Sequence, residues 1–323
     1  MSDMFKLTSK DGTNIQMEHN SNLVIEAFLD ALREVNAPGP GAPSLAVYAP
    51  MIPFVINFTN SYYAKNRCLV LFGPRTGSHH LVANLHYQDE CFSFDERVFC
   101  PTVQTKDVFL QENSKSLERF MKSKTVFWKN QWDRPSQVQG TGPVFNEGLL
   151  NFCCGALNTS VIFCLRHPYL TYLSRRKLFE RIPDQKEHDV TEQDMVDSYV
   201  CCFRLIKFCH DRGFKHMIHF HEKLLKERNE TISGILDFVG ASKKEVLDYE
   251  DYFKDSEVLI SRGFYNPARK IEPKDEGPVM RSSKSKKMMQ SIILKCNELE
   301  LLSPGLEKFE KFYEELLADN ETQ

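Results

Sequence analysis

From Arg67 onward, short apolar runs alternate with stretches of helical period, the pattern of a parallel sheet covered by helices. Four of these runs, at 68–72, 125–128, 160–165 and 216–220, predict buried strands. The clearest helix opens at Thr191. A Thr-x-x-Asp box with Asp194 caps it, Met195, Tyr199, Cys202, Phe203 and Ile206 form its apolar stripe, and Gly213 stops it. A second helix is predicted after Thr231, a further one behind a capping box at 242–245, and an amphipathic helix over 306–317 closes the chain. Residues 1–18 read as polar and irregular. A helix capped by Ser21 or Asn22 follows, with Leu23, Ala27, Phe28, Ala31, Leu32 and Val35 on one face, and the Pro/Gly cluster over 36–43 ends it. The expected organisation is an N-terminal helical extension, 1–65, packed on a three-layer α/β domain, 66–323, whose central parallel sheet is flanked by helices.

Composition narrows the function. The 323 residues carry 41 Lys plus Arg against 44 Asp plus Glu, a formal net charge of -3, which leaves no broad basic footprint for a nucleic acid and confines any phosphate chemistry to local charge. The longest apolar run, 45–58, is broken by Pro50 and Pro53 and is too short for a membrane span. The start, MSDMFKLTSKDG, lacks the apolar core of a signal peptide, so a cytoplasmic protein is expected. Ten cysteines include the adjacent pairs Cys153-Cys154 and Cys201-Cys202 but no CxxC, which predicts buried free thiols and no zinc or other metal site. His219 and His221 alternate on one strand face without a third ligand.

Two strand ends carry chemistry. In Leu71-Phe-Gly-Pro-Arg-Thr-Gly-Ser-His-His80 an apolar strand runs into a glycine-containing turn and then a helix, so backbone amides, a helix N-terminus and Arg75 converge where an anion can sit. The loop lacks the Lys-Ser/Thr pair that a nucleotide triphosphatase needs for terminal phosphates and magnesium; His79 and His80 stand there instead. In the stretch 161–174 a second strand ends at Arg166, Pro168 suits a first helical turn, and Ser174 follows eight residues after the arginine, a cation and a hydroxyl for a second anionic group.

Taken in chain order, these blocks resemble the PAPS-dependent sulfotransferase family. Residues 73–78, Gly-Pro-Arg-Thr-Gly-Ser, look like its 5′-phosphosulfate loop, and Arg166 with Ser174 matches the spacing of its 3′-phosphate Arg and Ser. Residues 221–240 are similar to its Y-E-D-L…I-L-x-F-L-G block, with His221 in place of the aromatic. The resemblance implies a P-loop-like α/β fold that binds PAPS without metal. Arg75, Thr76, Gly77, Ser78 and His79 would hold the phosphosulfate, Arg166 and Ser174 the 3′-phosphate, and His221 would lie against adenine. It implies transfer of a sulfuryl group to a hydroxyl or amine of a small-molecule acceptor, and it leaves a homodimer open.

The family's cytosolic base, a His in K-x-H, is replaced by Gln131 in Lys129-Asn-Gln131. Other members use a Glu after the loop helix, and Glu96 fits that place; with Arg75 and His79 it makes the expected catalytic set. His80 and Asp133 are the alternatives, and Lys129 an extra cation. The C-terminal R-K-G-x-x-G loop has no clear counterpart, with Arg269-Lys270 or Arg281-Ser-Ser-Lys284 as substitutes. A P-loop phosphotransferase and a nucleotide-binding protein impaired in catalysis are the rival readings.

Overall fold

A computed structural model describes residues 5–8, 14–17, 66–94, 123–132, 147–179, 190–241 and 276–319. The expected helices at 22–35 and behind 242–245 lie outside these residues. Strands β1 (Phe5–Thr8) and β2 (Asn14–Met17) pair antiparallel with Phe5 opposite Met17 and Leu7 opposite Ile15. This corrects the reading of 1–18 as irregular. The alternating apolar positions and the intervening Asp11-Gly12 are hairpin signals that the polar composition obscured.

The main sheet contains β3 (Asn66–Phe72), β4 (Cys91–Phe94), β5 (Thr125–Gln131), β6 (Ser160–Leu165) and β7 (His216–Phe220), all parallel, in the order β4-β5-β3-β6-β7. Residues 68–72 of β3 and all of β6 are buried, as strands covered on both faces must be. Helix α1 (Ser78–Tyr87) carries the chain from β3 toward the β4 edge. From β6, α3 (Pro168–Phe179) and α4 (Glu192–Asp211) carry it toward the β7 edge. Right-handed crossovers in opposite directions put these helices on opposite faces, which makes three layers. Between β5 and β6 a short helix α2 (Glu147–Leu150) continues into a π-helical turn, Asn151–Ala156.

Helix α5 (His221–Lys226) follows β7 directly, and α6 (Arg228–Val239) packs beside α1, where Arg228 Nε donates to Asn84 Oδ1 at 2.6 Å. The chain then adds α7 (Gly277–Met280), α8 (Ser283–Glu298) and α9 (Pro304–Asp319). Helix α9 lies close to the α4 layer: a Cβ on Gly305 would stand 2.4 Å from Ile206 and 3.1 Å from Ile218. Phe312 stacks on Phe220 at 4.0 Å, and Phe309 meets Phe203 edge-on at 5.0 Å. The capping box of α4 is formed in both directions, with Asp194 N donating to Thr191 Oγ1 and Thr191 N to Asp194 Oδ2. Its predicted apolar stripe is buried, and Gly213 takes φ 66° just after its end.

The nine described cysteines are free thiols. Burial pushes Cys164 up to about 12 and takes Cys68, Cys153 and Cys202 well above the ordinary thiol value, so these remain protonated and shielded. Native protein at pH 8 is expected to leave these four unmodified by Ellman's reagent, whereas half-buried Cys201 reacts first among the described cysteines. Peptide mapping checks this, and rapid labelling of Cys68 or Cys202 would show that the sheet is not covered on both faces.

Candidate functional site

The sheet order reverses direction at β3, and the C-terminal strand ends at such a reversal are where open α/β sheets bind ligands. Register places Phe72 of β3 level with Cys164 of β6 and Gln131 of β5, so the residues that follow these strands emerge together. The two motifs singled out in the sequence belong to this end of the sheet.

After Phe72 the chain turns tightly. Thr76 donates to the Gly73 carbonyl from its backbone N at 3.3 Å and from its hydroxyl at 2.8 Å. Arg75, at φ 72°, and Gly77, at φ 82°, both take left-handed backbone conformations. That conformation is uncommon for a side chain as large as Arg75 and is held here by the turn. Helix α1 then begins with no side-chain cap on its first amides and no acidic residue in its first turn. Its N-terminal partial positive charge thus meets no counter-charge from its own first turn, as an anion site requires. Gly77 is also a packing requirement: a Cβ there would stand 2.1 Å from Nδ1 of His221, because the imidazole lies directly over this residue.

The second motif converges on the first. Arg75 Nε donates to Ser174 Oγ at 3.0 Å across 99 residues of chain. Next to Ser174, Arg175 is buried behind the loop. Its Nε donates to the Pro74 carbonyl at 3.0 Å and its Nη2 to Ser198 Oγ at 3.4 Å. Arg175 therefore buttresses the turn from inside. Arg175 is not legible in the sequence, because Ser-Arg-Arg-Lys on a helix reads as a solvated face.

Arg166 follows β6, as expected, with its side chain 16% exposed; its Nη2 meets both carboxylate oxygens of Glu276, at 2.8 and 3.1 Å. The backbone around it is fastened from several helices. Tyr199 of α4 donates to the Arg166 carbonyl. Glu222 of α5 accepts from His167 N at 2.8 Å and, on its other oxygen, from Tyr313 of α9 at 3.0 Å. Ser285 of α8 lies 3.2 Å from His167 Nε2. Burial raises the Glu222 carboxyl above its ordinary value, opposed by those donors and by Arg166.

Lys129 on β5 is fully buried, with its Nζ 4.4 Å above the Phe72 ring, 3.0 Å from His79 Nε2 and 3.2 Å from His79 Nδ1. An ammonium only donates, so the imidazole nitrogen that it meets presents a lone pair. His79 itself is exposed at the start of α1. Gln131, at the place of the absent base, ends β5 beside Phe72. Glu96, Asp133, Arg269 and Lys270 lie outside the described residues. Arg281 and Lys284 are described, but they flank Ser282, whose side chain accepts from Ser285 N and caps α8. The Lys/Ser-rich run is thus a helix start.

Imidazoles crowd the loop's inner side. His80 and His221 meet edge-on at 5.8 Å, and His219 is buried beneath them on β7. Burial, aided by Lys223 and neighbouring His80, lowers His219 to about 3; burial and Arg228 lower His80 to about 4. Burial and Arg166 take His167 to about 3, and burial takes His221 well down. All are neutral at physiological pH. Among the described residues, no group of three or more His, Cys, Asp or Glu is placed to hold a metal, and no helix is long and apolar enough to cross a membrane.

No protein-family profile and no curated protein matches the chain. Among solved structures, mouse sulfotransferase SULT7A1 complexed with PAP is similar over 96% of this chain and 93% of that chain, at 11% identity and a TM-score of 0.40. That is a distant likeness in chain path, and nothing about activity follows from it. The protein's own strand order and burial define it as a three-layer α/β protein in which an uncapped helix start follows the central strand of its parallel sheet.

Proposed function

We propose that the protein is a sulfotransferase that moves a sulfuryl group from PAPS to a hydroxyl or amine of a small-molecule acceptor and releases adenosine 3′,5′-bisphosphate. The observation that carries this reading is the hydrogen bond from Arg75 to Ser174, which joins the two motifs at one end of the sheet. A nucleotide with anionic groups at both its 5′ and 3′ positions is the ligand suited to two such motifs. The α1 amides, Thr76, Ser78 and Arg75 face the 5′-phosphosulfate, and Arg166 with Ser174 takes the 3′-phosphate. His221 flanks the loop through Gly77.

In the reaction the acceptor oxygen or nitrogen forms a bond to sulfur as the bond from sulfur to the bridging oxygen breaks. The electron pair leaves with the bisphosphate, and the acceptor's proton goes to a base, for which Glu96 is the candidate. Arg75 and the loop amides stabilise charge growing on the bridging oxygen, with Lys129 and His79 as a second polar pair beside the loop.

The test is incubation of the full chain with sulfur-35 PAPS and a panel of phenols, alcohols and amines. Label entering an acceptor, with an equal amount of bisphosphate released, is the expected result, and Arg75→Ala is expected to lower kcat/KM by roughly 10²-fold or more. Failure of the whole panel together with phosphoryl transfer from magnesium-ATP would replace the reading with a phosphotransferase. Tight bisphosphate binding without any turnover would favour a nucleotide-binding protein that has lost catalysis.

A further inference from the structure

Arg166 already holds an anion in this structure, and that anion belongs to the chain itself. Both carboxylate oxygens of Glu276 lie on Nη2 of Arg166, and the two side chains are 16% and 28% exposed. Two further features bear on what Glu276 does there. First, Arg166 does not depend on Glu276 for its backbone position: Tyr199 fixes its carbonyl, and Glu222 fixes the next backbone amide. Second, Glu276 has no other side-chain partner among the described residues. It precedes α7 at the N-cap position, yet its side chain caps no amide of that helix. Arg166 Nε is buried with no hydrogen-bond partner among the described residues, so the ion pair satisfies only part of this guanidinium.

We infer that Glu276 is an intramolecular competitor at Arg166: its carboxylate stands in for a ligand phosphate on the guanidinium, and a ligand's dianionic phosphate must displace it to bind there. The inference rests on the nucleotide reading above and adds the residue that competes with the 3′-phosphate and holds down the affinity for it. A carboxylate carries a single negative charge, so an incoming monoanion gains nothing by exchange, whereas a dianionic phosphate monoester gains a stronger charge-assisted contact. A nucleotide with a bare 3′-hydroxyl leaves the Arg166–Glu276 pair in place. Removing the charge of Glu276 while keeping its shape takes away both the competitor and a negative charge adjacent to the bound phosphate.

The experiment titrates adenosine 3′,5′-bisphosphate and 5′-AMP into the full-length wild type, Glu276→Gln and Arg166→Ala by calorimetry, with melting curves confirming that each variant is folded. Glu276→Gln is expected to bind the bisphosphate about tenfold more tightly, a shift of about 1.4 kcal/mol, with 5′-AMP affinity unchanged. Glu276→Ala should move in the same direction, which separates lost charge from any property of the introduced amide. Unchanged or weaker bisphosphate binding by Glu276→Gln, with Arg166→Ala still impaired, would overturn the inference and make Glu276 a positioning residue for Arg166. Undiminished bisphosphate binding by Arg166→Ala would instead remove the nucleotide reading on which the inference rests.

Discussion

Acidification from pH 7 to pH 5 is expected to cost the fold about 2 kcal/mol for each of His167 and His219. Both side chains are buried, and both are lowered to about 3, chiefly by burial. The unfolded chain takes up their protons near the ordinary histidine value of about 6.5, while the native state does not. Below about pH 6.5 the unfolded state therefore binds more protons, and stability falls until the native value near 3 is reached. His221 acts in the same direction. Glu222 acts oppositely: its carboxyl is raised, so its contribution is full below the ordinary carboxyl value and is lost as pH rises through the folded value. Glu310, also raised chiefly by burial, acts as Glu222 does, but among the described groups the lowered histidines outnumber these two, and their combined effect is loss on acidification. Urea titrations at pH 7, 6 and 5 read this directly, and replacing His219 with Leu should remove close to one proton from the slope. Equal stability at pH 7 and pH 5 would mean that these imidazoles are not buried as described.

Gly77→Ala is expected to destabilise the protein by about 2–4 kcal/mol and to abolish ligand binding at the loop. Two effects add. A side chain at φ 82° costs roughly 1 kcal/mol or more, and the new methyl group would lie 2.1 Å from His221 Nδ1, an overlap that forces a shift costing about 1–3 kcal/mol. Gly213 supplies an internal control. It has φ 66°, yet nothing lies within 4 Å of a Cβ built there, so Gly213→Ala should show the backbone cost alone. Combining Gly77→Ala with His221→Ala should recover much of the difference. Equal losses for Gly77→Ala and Gly213→Ala would show that His221 does not press on the loop.

The sheet was legible because strands buried on both faces are continuous apolar runs. The runs at 160–165 and 216–220 coincide with β6 and β7, while β3 and β5 extend the predicted segments by two and three residues. Helix α4 was legible from its capping box, a purely local signal. Strand β4 was not, since Cys-Phe-Ser-Phe is four residues at a sheet edge and one apolar run too brief to distinguish from a turn. Helix α8 was hidden by its lysine- and serine-rich start: Met288, Ile292 and Cys296 carry its buried stripe and begin only in its second turn. The site divides in the same way. Arg75 and Ser174 were found as motif residues, but their hydrogen bond depends on how α3 packs beside the loop. Arg175, Glu222 and Glu276 act through partners 23 to 110 residues away, and no local pattern encodes such partners. Lys129 was expected as a cleft cation; its full burial beneath His79 is set by the neighbouring strands.

On the proposed reading, one end of this sheet binds a nucleotide through its 5′ and 3′ anionic groups. Calorimetric titration of the full chain with adenosine 3′,5′-bisphosphate and with ATP, each with and without magnesium, tests it most directly when repeated on Arg166→Ala. Tight bisphosphate binding that is indifferent to magnesium and weakened more than about tenfold by Arg166→Ala is expected, as the loss of a charge-assisted phosphate contact requires. Binding of magnesium-ATP with no binding of the bisphosphate would contradict it.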